Sequence, residues 1–200
     1  SQATGARLLA SRQMLVTAES CTGGWIAKAV TDVAGSSAWF DCGMAVYSYE
    51  AKQAMLGVNP HTLEMHGAVS RETVVEMVSG ALVHSGATIA VAVTGIAGPG
   101  GGTEDKPVGT VWVAWKRRGG YPRAEVFHFE GDRDAVRRQT VAAALRGRRT
   151  PAELLGGLLD EFAPRHRGGV DRHFVGAVIQ ERADVVHGAD AAADGERHEA

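Results

Sequence analysis

A serine, a lysine and a run of glycines carry most of the chemistry that this sequence could perform. Ser20 follows the apolar stretch Met14 to Ala18 and precedes Gly23-Gly24, after which Trp25, Ile26, Ala29, Val30 and Val33 recur at helical spacing. A hydroxyl between a buried strand and a helix start stands exposed, and the amides of Cys21, Thr22 and Gly23 then point toward a developing oxyanion, the geometry of acyl transfer. Such a serine needs a base, and no His or Asp stands near it in a triad pattern. A lysine can take that place, because burial lowers its pKa until the neutral amine accepts a proton, and a tyrosine between the two can relay it. Tyr47 and Lys52, which flank a second strand-to-helix turn, are the candidates. The ordinary alternatives are a Ser20 that only caps a helix, a Tyr47 in the core and a Lys52 on a solvated helix face. Cys21 is a rival nucleophile at the same helix start, set against the commoner small buried thiol.

The stretch Gly95-Ile96-Ala97-Gly98-Pro99-Gly100-Gly101-Gly102 follows an unbroken apolar strand over 88–94. It satisfies neither Gly-x-x-x-x-Gly-Lys-Ser/Thr nor Gly-x-Gly-x-x-Gly, so neither a P-loop nor a dinucleotide fingerprint follows. Its glycines let backbone amides approach an anion or a flat ring, and a flexible crossover loop is an equal reading. His-Glu-x-x-His and Cys-x-x-Cys do not occur, and four of the eight histidines lie beyond residue 148. His61 and His66 fall in a Pro-containing connection and read as solvated, so no metal site is expected.

These groups need a scaffold, and the pattern supplies one. The end of a short helix over 5–12 precedes a strand over 14–18, and a second strand over 43–47 runs into a helix from Ser48 to Leu56 that Gly57 ends. Ser70 reads as the N-cap of a helix with Val74, Met77, Val78, Ala81 and Leu82 on one face. Strands over 108–115 and 123–130, joined by the turn 118–122, predict one antiparallel hairpin, and Asp132 opens a helix to Arg146. One core closes within 1–147. Residues 148–200 read as an appended, partly disordered tail, with a helix over 154–162 and a short element over 174–179.

Composition narrows the function. The 200 residues are 44% hydrophobic and 22% charged, typical of a globular chain, and 21 Lys+Arg against 23 Asp+Glu leave no electrostatic footprint for nucleic acid or an anionic membrane surface. Two cysteines are too few for a disulfide framework and no apolar run reaches bilayer length, which together predict a cytoplasmic protein with small-molecule or protein partners.

At Ala18-Glu19-Ser20-Cys21-Thr22-Gly23-Gly24 the sequence resembles the CinA C-terminal domain family, the nicotinamide-nucleotide amidases. Ordered blocks continue the resemblance through Val46-Tyr47-Ser48, Glu50-Ala51-Lys52, Gly67-Ala68-Val69-Ser70, Thr94 to Gly101, Lys106 to Val111 and Gly131-Asp132-Arg133 with Val136-Arg137, over residues 5 to 146. The resemblance implies an α/β fold, a three-layer α/β/α sandwich with a mixed, mainly parallel sheet, in a stand-alone form without the molybdopterin-binding-like domain of longer members. It implies hydrolysis of the carboxamide of nicotinamide mononucleotide to nicotinic acid mononucleotide and ammonia, in pyridine-nucleotide salvage, without cofactor or metal. Carried over by position, Ser20 is the nucleophile, Lys52 the general base and Tyr47 a hydrogen-bonding or relay partner. Cys21, Thr22 and Gly23 would serve the oxyanion, while Gly95, Ile96, Ala97, Gly98 and Gly100 with Arg133 or Arg137 would meet the substrate and its phosphate. A homo-oligomer is implied by resemblance alone. Tyr49 departs from the Asn usual at that position and could alter the turn that aims Lys52. A non-catalytic nucleotide-binding module and an amidase of another small carboxamide are the competing readings.

Overall fold

The apolar runs pair into a single five-stranded sheet. In the computed structural model, which describes residues 1–147, the sheet is built from β1 (Leu15–Glu19), β2 (Phe40–Ala45), β3 (Ile89–Gly95), β4 (Thr110–Arg117) and β5 (Arg123–His128), in the spatial order β2-β1-β3-β4-β5. β1 is buried at every position because it has a parallel neighbour on each side, with Glu19 opposite Ala45 of β2 and Val93 of β3. The chain leaves β1 for β2 on one side and reaches β3 on the other. With right-handed crossovers the two connections fall on opposite faces, and a crevice opens at the carboxyl end of β1.

Among the described residues, six α-helices cover those faces. α1 (Gln2–Ala10), α2 (Trp25–Thr31) and α6 (Arg133–Arg146) accompany a core of Leu8, Ile26, Val30, Trp39, Val93, Val113 and Val136. α3 (Tyr49–Leu56), α4 (Pro60–His66) and α5 (Arg71–Val83) accompany the other, formed around Val16, Val46, Leu63, Val74, Met77 and Ala92. The result is the three-layer α/β/α sandwich. Helix starts follow the expected chemistry: the side chains of Ser48, Ser70 and Asp132 accept from the amides of Ala51, Thr73 and Ala135.

The sheet is mixed and mainly parallel in strand direction: β1, β2, β3 and β5 run one way and β4 alone runs the other. Two expectations change. β2 begins at Phe40 rather than at residue 43; its half-buried and exposed positions alternate along a sheet edge, and a search for continuous apolar runs passes over that pattern. His61 and His66 belong to a helix rather than a loop, since the Asn59 side chain accepts from the His61 amide and Pro60 occupies the first turn, where its missing N–H costs nothing. The elements expected over 154–162 and 174–179, like the whole tail from 148, lie outside the described residues.

Candidate active site

Ser20 is the first residue past β1. Its amide donates to Val93 O (3.0 Å), while the Val46 amide donates to Glu19 O (2.8 Å), so both parallel neighbours hold the strand end where Ser20 leaves the sheet. Side chains alternate along a strand, and this one sends them to different ends: Glu19 to the start of α2 and Ser20 toward α3.

Lys52 comes from the first turns of α3. Helical side chains lean toward the helix N-terminus, and this one reaches back over the β2–α3 turn. Its Nζ lies 3.1 Å from Ser20 Oγ, 2.9 Å from Val46 O and 3.1 Å from Tyr47 O, and the residue is 0% exposed. Burial holds its pKa below the ordinary lysine value, opposed in part by Cys21. The three contacts fix the chemistry of the neutral amine. Two are carbonyls, which only accept, so they take its two N–H groups, and the lone pair is left facing the Ser20 hydroxyl. That is the arrangement of a general base on a nucleophile.

The turn after Ser20 is held from both sides. Glu19 is fully buried, and its carboxylate accepts from the Thr17 and Thr22 hydroxyls (3.2 and 2.6 Å) and from the amides of Gly24, Ile26 and Ala27 (3.0, 2.9 and 2.8 Å). It thereby satisfies the donors that begin α2. Gly23 and Gly24 have φ of 61° and 93°, a left-handed backbone that only glycine takes at little cost. Of the three expected oxyanion donors, the Gly23 amide is committed to Ser20 O (3.1 Å). Among the described residues, those of Cys21 and Thr22 donate to no other residue. The Cys21 thiol is buried, and burial pushes its pKa up to about 12 against the lowering influence of its own amide, Arg137 and Lys52. It is held protonated beside the serine.

The remaining expected residues divide. The Tyr47 hydroxyl does not come between Ser20 and Lys52; that contact is direct, and the tyrosine touches the lysine through its backbone carbonyl. Its side chain, 66% exposed, turns outward to accept from Arg133 Nη2 (3.4 Å). Arg133 Nη1 donates to Gly98 O (2.8 Å), so the glycine loop, Arg133 and the Tyr47 phenol form one rim. Gly95 ends β3, where a side chain would strike Val111 at 2.6 Å, and Ile96 is occupied by bonds with Thr110 O and the Gly109 amide. These two shape the loop. The amides of Ala97, Gly98 and Gly100 bond to no group among the described residues. Arg137 points away from the rim, with Nε on Cys21 O (3.2 Å) and Nη2 on Thr22 O (2.8 Å). Tyr49 does not displace Lys52; its hydroxyl accepts from the Ala68 amide (3.2 Å) and ties the start of α3 to the loop before α5.

Glu19 is the organising residue that motif reasoning passed over. Its signal was available: an acidic residue closing an apolar strand immediately before a Gly-Gly helix start has nowhere to go except onto that helix's amides.

Comparison with known proteins places the chain in a family. The model of the CinA C-terminal domain matches residues 1–150. The chain is 56% identical over 148 residues to the nicotinamide-nucleotide amidohydrolase PncC of Escherichia coli K12, covering 73% of this chain and 88% of that one. It is 54% identical over 143 residues to the protein of the same name from Pseudomonas putida, covering 72% and 89%. The crystal structure of the competence/damage-inducible protein CihA of Agrobacterium tumefaciens superposes with a TM-score of 0.69 at 47% identity, over 72% of this chain and 91% of the other. With a family match across three quarters of its length, identities above one half and the same fold, this chain belongs to the CinA C-terminal domain family.

Proposed function

We propose that this protein hydrolyses the carboxamide of nicotinamide mononucleotide to nicotinic acid mononucleotide and ammonia, through an acyl-enzyme on Ser20. The observation that carries the reading is the buried Lys52 amine 3.1 Å from Ser20 Oγ, with its other two contacts on carbonyls. The names of the relatives supply the substrate.

In this mechanism Ser20 Oγ attacks the carboxamide carbon as its proton passes to Lys52 Nζ. The charge on the carboxamide oxygen falls to the amides of Cys21 and Thr22. The tetrahedral adduct collapses when the Lys52 ammonium returns the proton to the leaving nitrogen, releasing ammonia. Water, deprotonated by the same amine, then attacks the ester and frees Ser20. No step needs the Tyr47 phenol, which serves with Arg133 and the 97–100 amides as the rim for the mononucleotide and its phosphate. The reaction belongs to pyridine-nucleotide salvage in the cytoplasm, in a homo-oligomer. Among the described residues no helix is long and apolar enough to cross a membrane.

The test is ammonia release from nicotinamide mononucleotide by the purified chain, beside Ser20→Ala and Lys52→Ala. Turnover by the parent that both substitutions abolish, in variants with unchanged circular dichroism, is the expected result. A parent that binds the mononucleotide without releasing ammonia would make the chain a binding module instead.

A further inference from the structure

We propose that Arg137 is a positioning residue for this reaction: it fixes the peptide planes that present the Cys21 and Thr22 amides, and it does not bind the substrate's phosphate. The inference rests on the amidase reading and adds a component to it. Arg137 is half-buried on α6, its guanidinium 5.1 Å from the centre of the Trp25 ring, and its donors reach the carbonyls of Cys21 and Thr22 at 3.2 and 2.8 Å. A trans peptide is a rigid plane with C=O and the following N–H on opposite sides. The Cys21–Thr22 and Thr22–Gly23 bonds are trans, the sole cis bond among the described residues being Gly98-Pro99.

Holding the Cys21 carbonyl toward α6 therefore turns the Thr22 N–H away from α6. Holding the Thr22 carbonyl does the same to the Gly23 N–H, which is found on Ser20 O at 3.1 Å. That bond fixes a third plane, because a Ser20 carbonyl facing Gly23 sends the Cys21 N–H the opposite way. Glu19 completes the frame by taking the Thr22 hydroxyl and the Gly24 amide. Every N–H of the turn is thus committed except those of Cys21 and Thr22. The guanidinium suits this task because its planar fork can grip two carbonyls at once, which an ammonium on a flexible stem does poorly. A phosphate ligand would have its fork aimed at the rim, where Arg133 is.

The experiment compares Arg137→Met and Arg137→Lys with the parent, and adds Arg137→Met to Ser20→Ala so that ground-state binding of nicotinamide mononucleotide can be measured without turnover. If Arg137 aims the oxyanion donors, kcat falls by about 100-fold in Arg137→Met, the size of a lost donor. Arg137→Lys recovers only part of it, KM and the Kd in the Ser20→Ala background stay unchanged, and the drop is uniform across pH. A Kd weakened by tenfold or more with kcat preserved would make Arg137 a phosphate ligand and overturn the inference. So would an unchanged kcat in a folded Arg137→Met. A parent without turnover would instead overturn the amidase reading, and the inference with it.

Discussion

Lys52 is held by neutral oxygens, and that decides how the site responds to pH. Desolvation lowers its pKa because the charged form loses water without gaining a carboxylate partner; its nitrogen contacts are a hydroxyl and two carbonyls. Only the deprotonated amine can take the Ser20 proton. Activity should therefore rise with pH through the Lys52 pKa, at a midpoint below the ordinary lysine value of about 10.4, and fall toward acid. A pH profile of kcat/KM that is flat from neutral to alkaline would remove Lys52 from the role of base. Lys52→Arg keeps the charge but cannot deprotonate, and it should lose about 1,000-fold in kcat. The adjacent thiol gives an opposite expectation. With its pKa pushed up to about 12, Cys21 supplies no thiolate at working pH, so Cys21→Ala should retain turnover and thiol reagents should not inactivate the native enzyme. Inactivation in step with Cys21 alkylation would restore it as nucleophile.

At the scale of elements, the distance between Ser20 and Lys52 depends on where α3 lies, and α5 sets that. A Cβ on Gly80 of α5 would stand 1.8 Å from the carbonyl oxygen of Leu56 at the end of α3, so the two backbones touch where only hydrogen fits. Gly80→Ala must push α3 outward, and it should cost about 2–3 kcal/mol of stability and lower kcat with it. Urea unfolding together with turnover checks this; an alanine variant as stable and active as the parent would show that α3 is positioned otherwise. The sequence made α3 and α5 legible because their caps, Ser48, Gly57 and Ser70, are local signals. It concealed their contact. Gly80 reads as one more small residue in a helix until the neighbouring backbone is seen. α4 was concealed differently, since Pro60 marks a connection as readily as a first helical turn, and the deciding bond is made by the Asn59 side chain.

For the whole molecule, the order of the sheet explains how the site comes together. β1 lies between β2 and β3, so one strand end gathers Ser20 from its own tip, Lys52 from the helix after β2 and a glycine loop from the tip of β3. The residue types at those three places were readable from sequence, but their meeting depends on a strand order that no local pattern encodes. The same ignorance made a Tyr47 relay plausible, since sequence distance cannot show that lysine and serine already touch. α6 closes the unit: Trp115 Nε1 donates to Ala144 O and Thr4 Oγ1 to Leu145 O, each at 2.9 Å, which fastens the last described helix to β4 and α1. Every group assigned a task lies before residue 148, and we infer that residues 148–200 contribute no group to the reaction. A chain shortened to 1–147 should unfold in a single cooperative transition and keep the kcat and KM of the 200-residue protein. Folding with kcat lost would place a needed group beyond residue 147, whereas failure to fold would show that the two anchors on α6 are too weak to hold it alone.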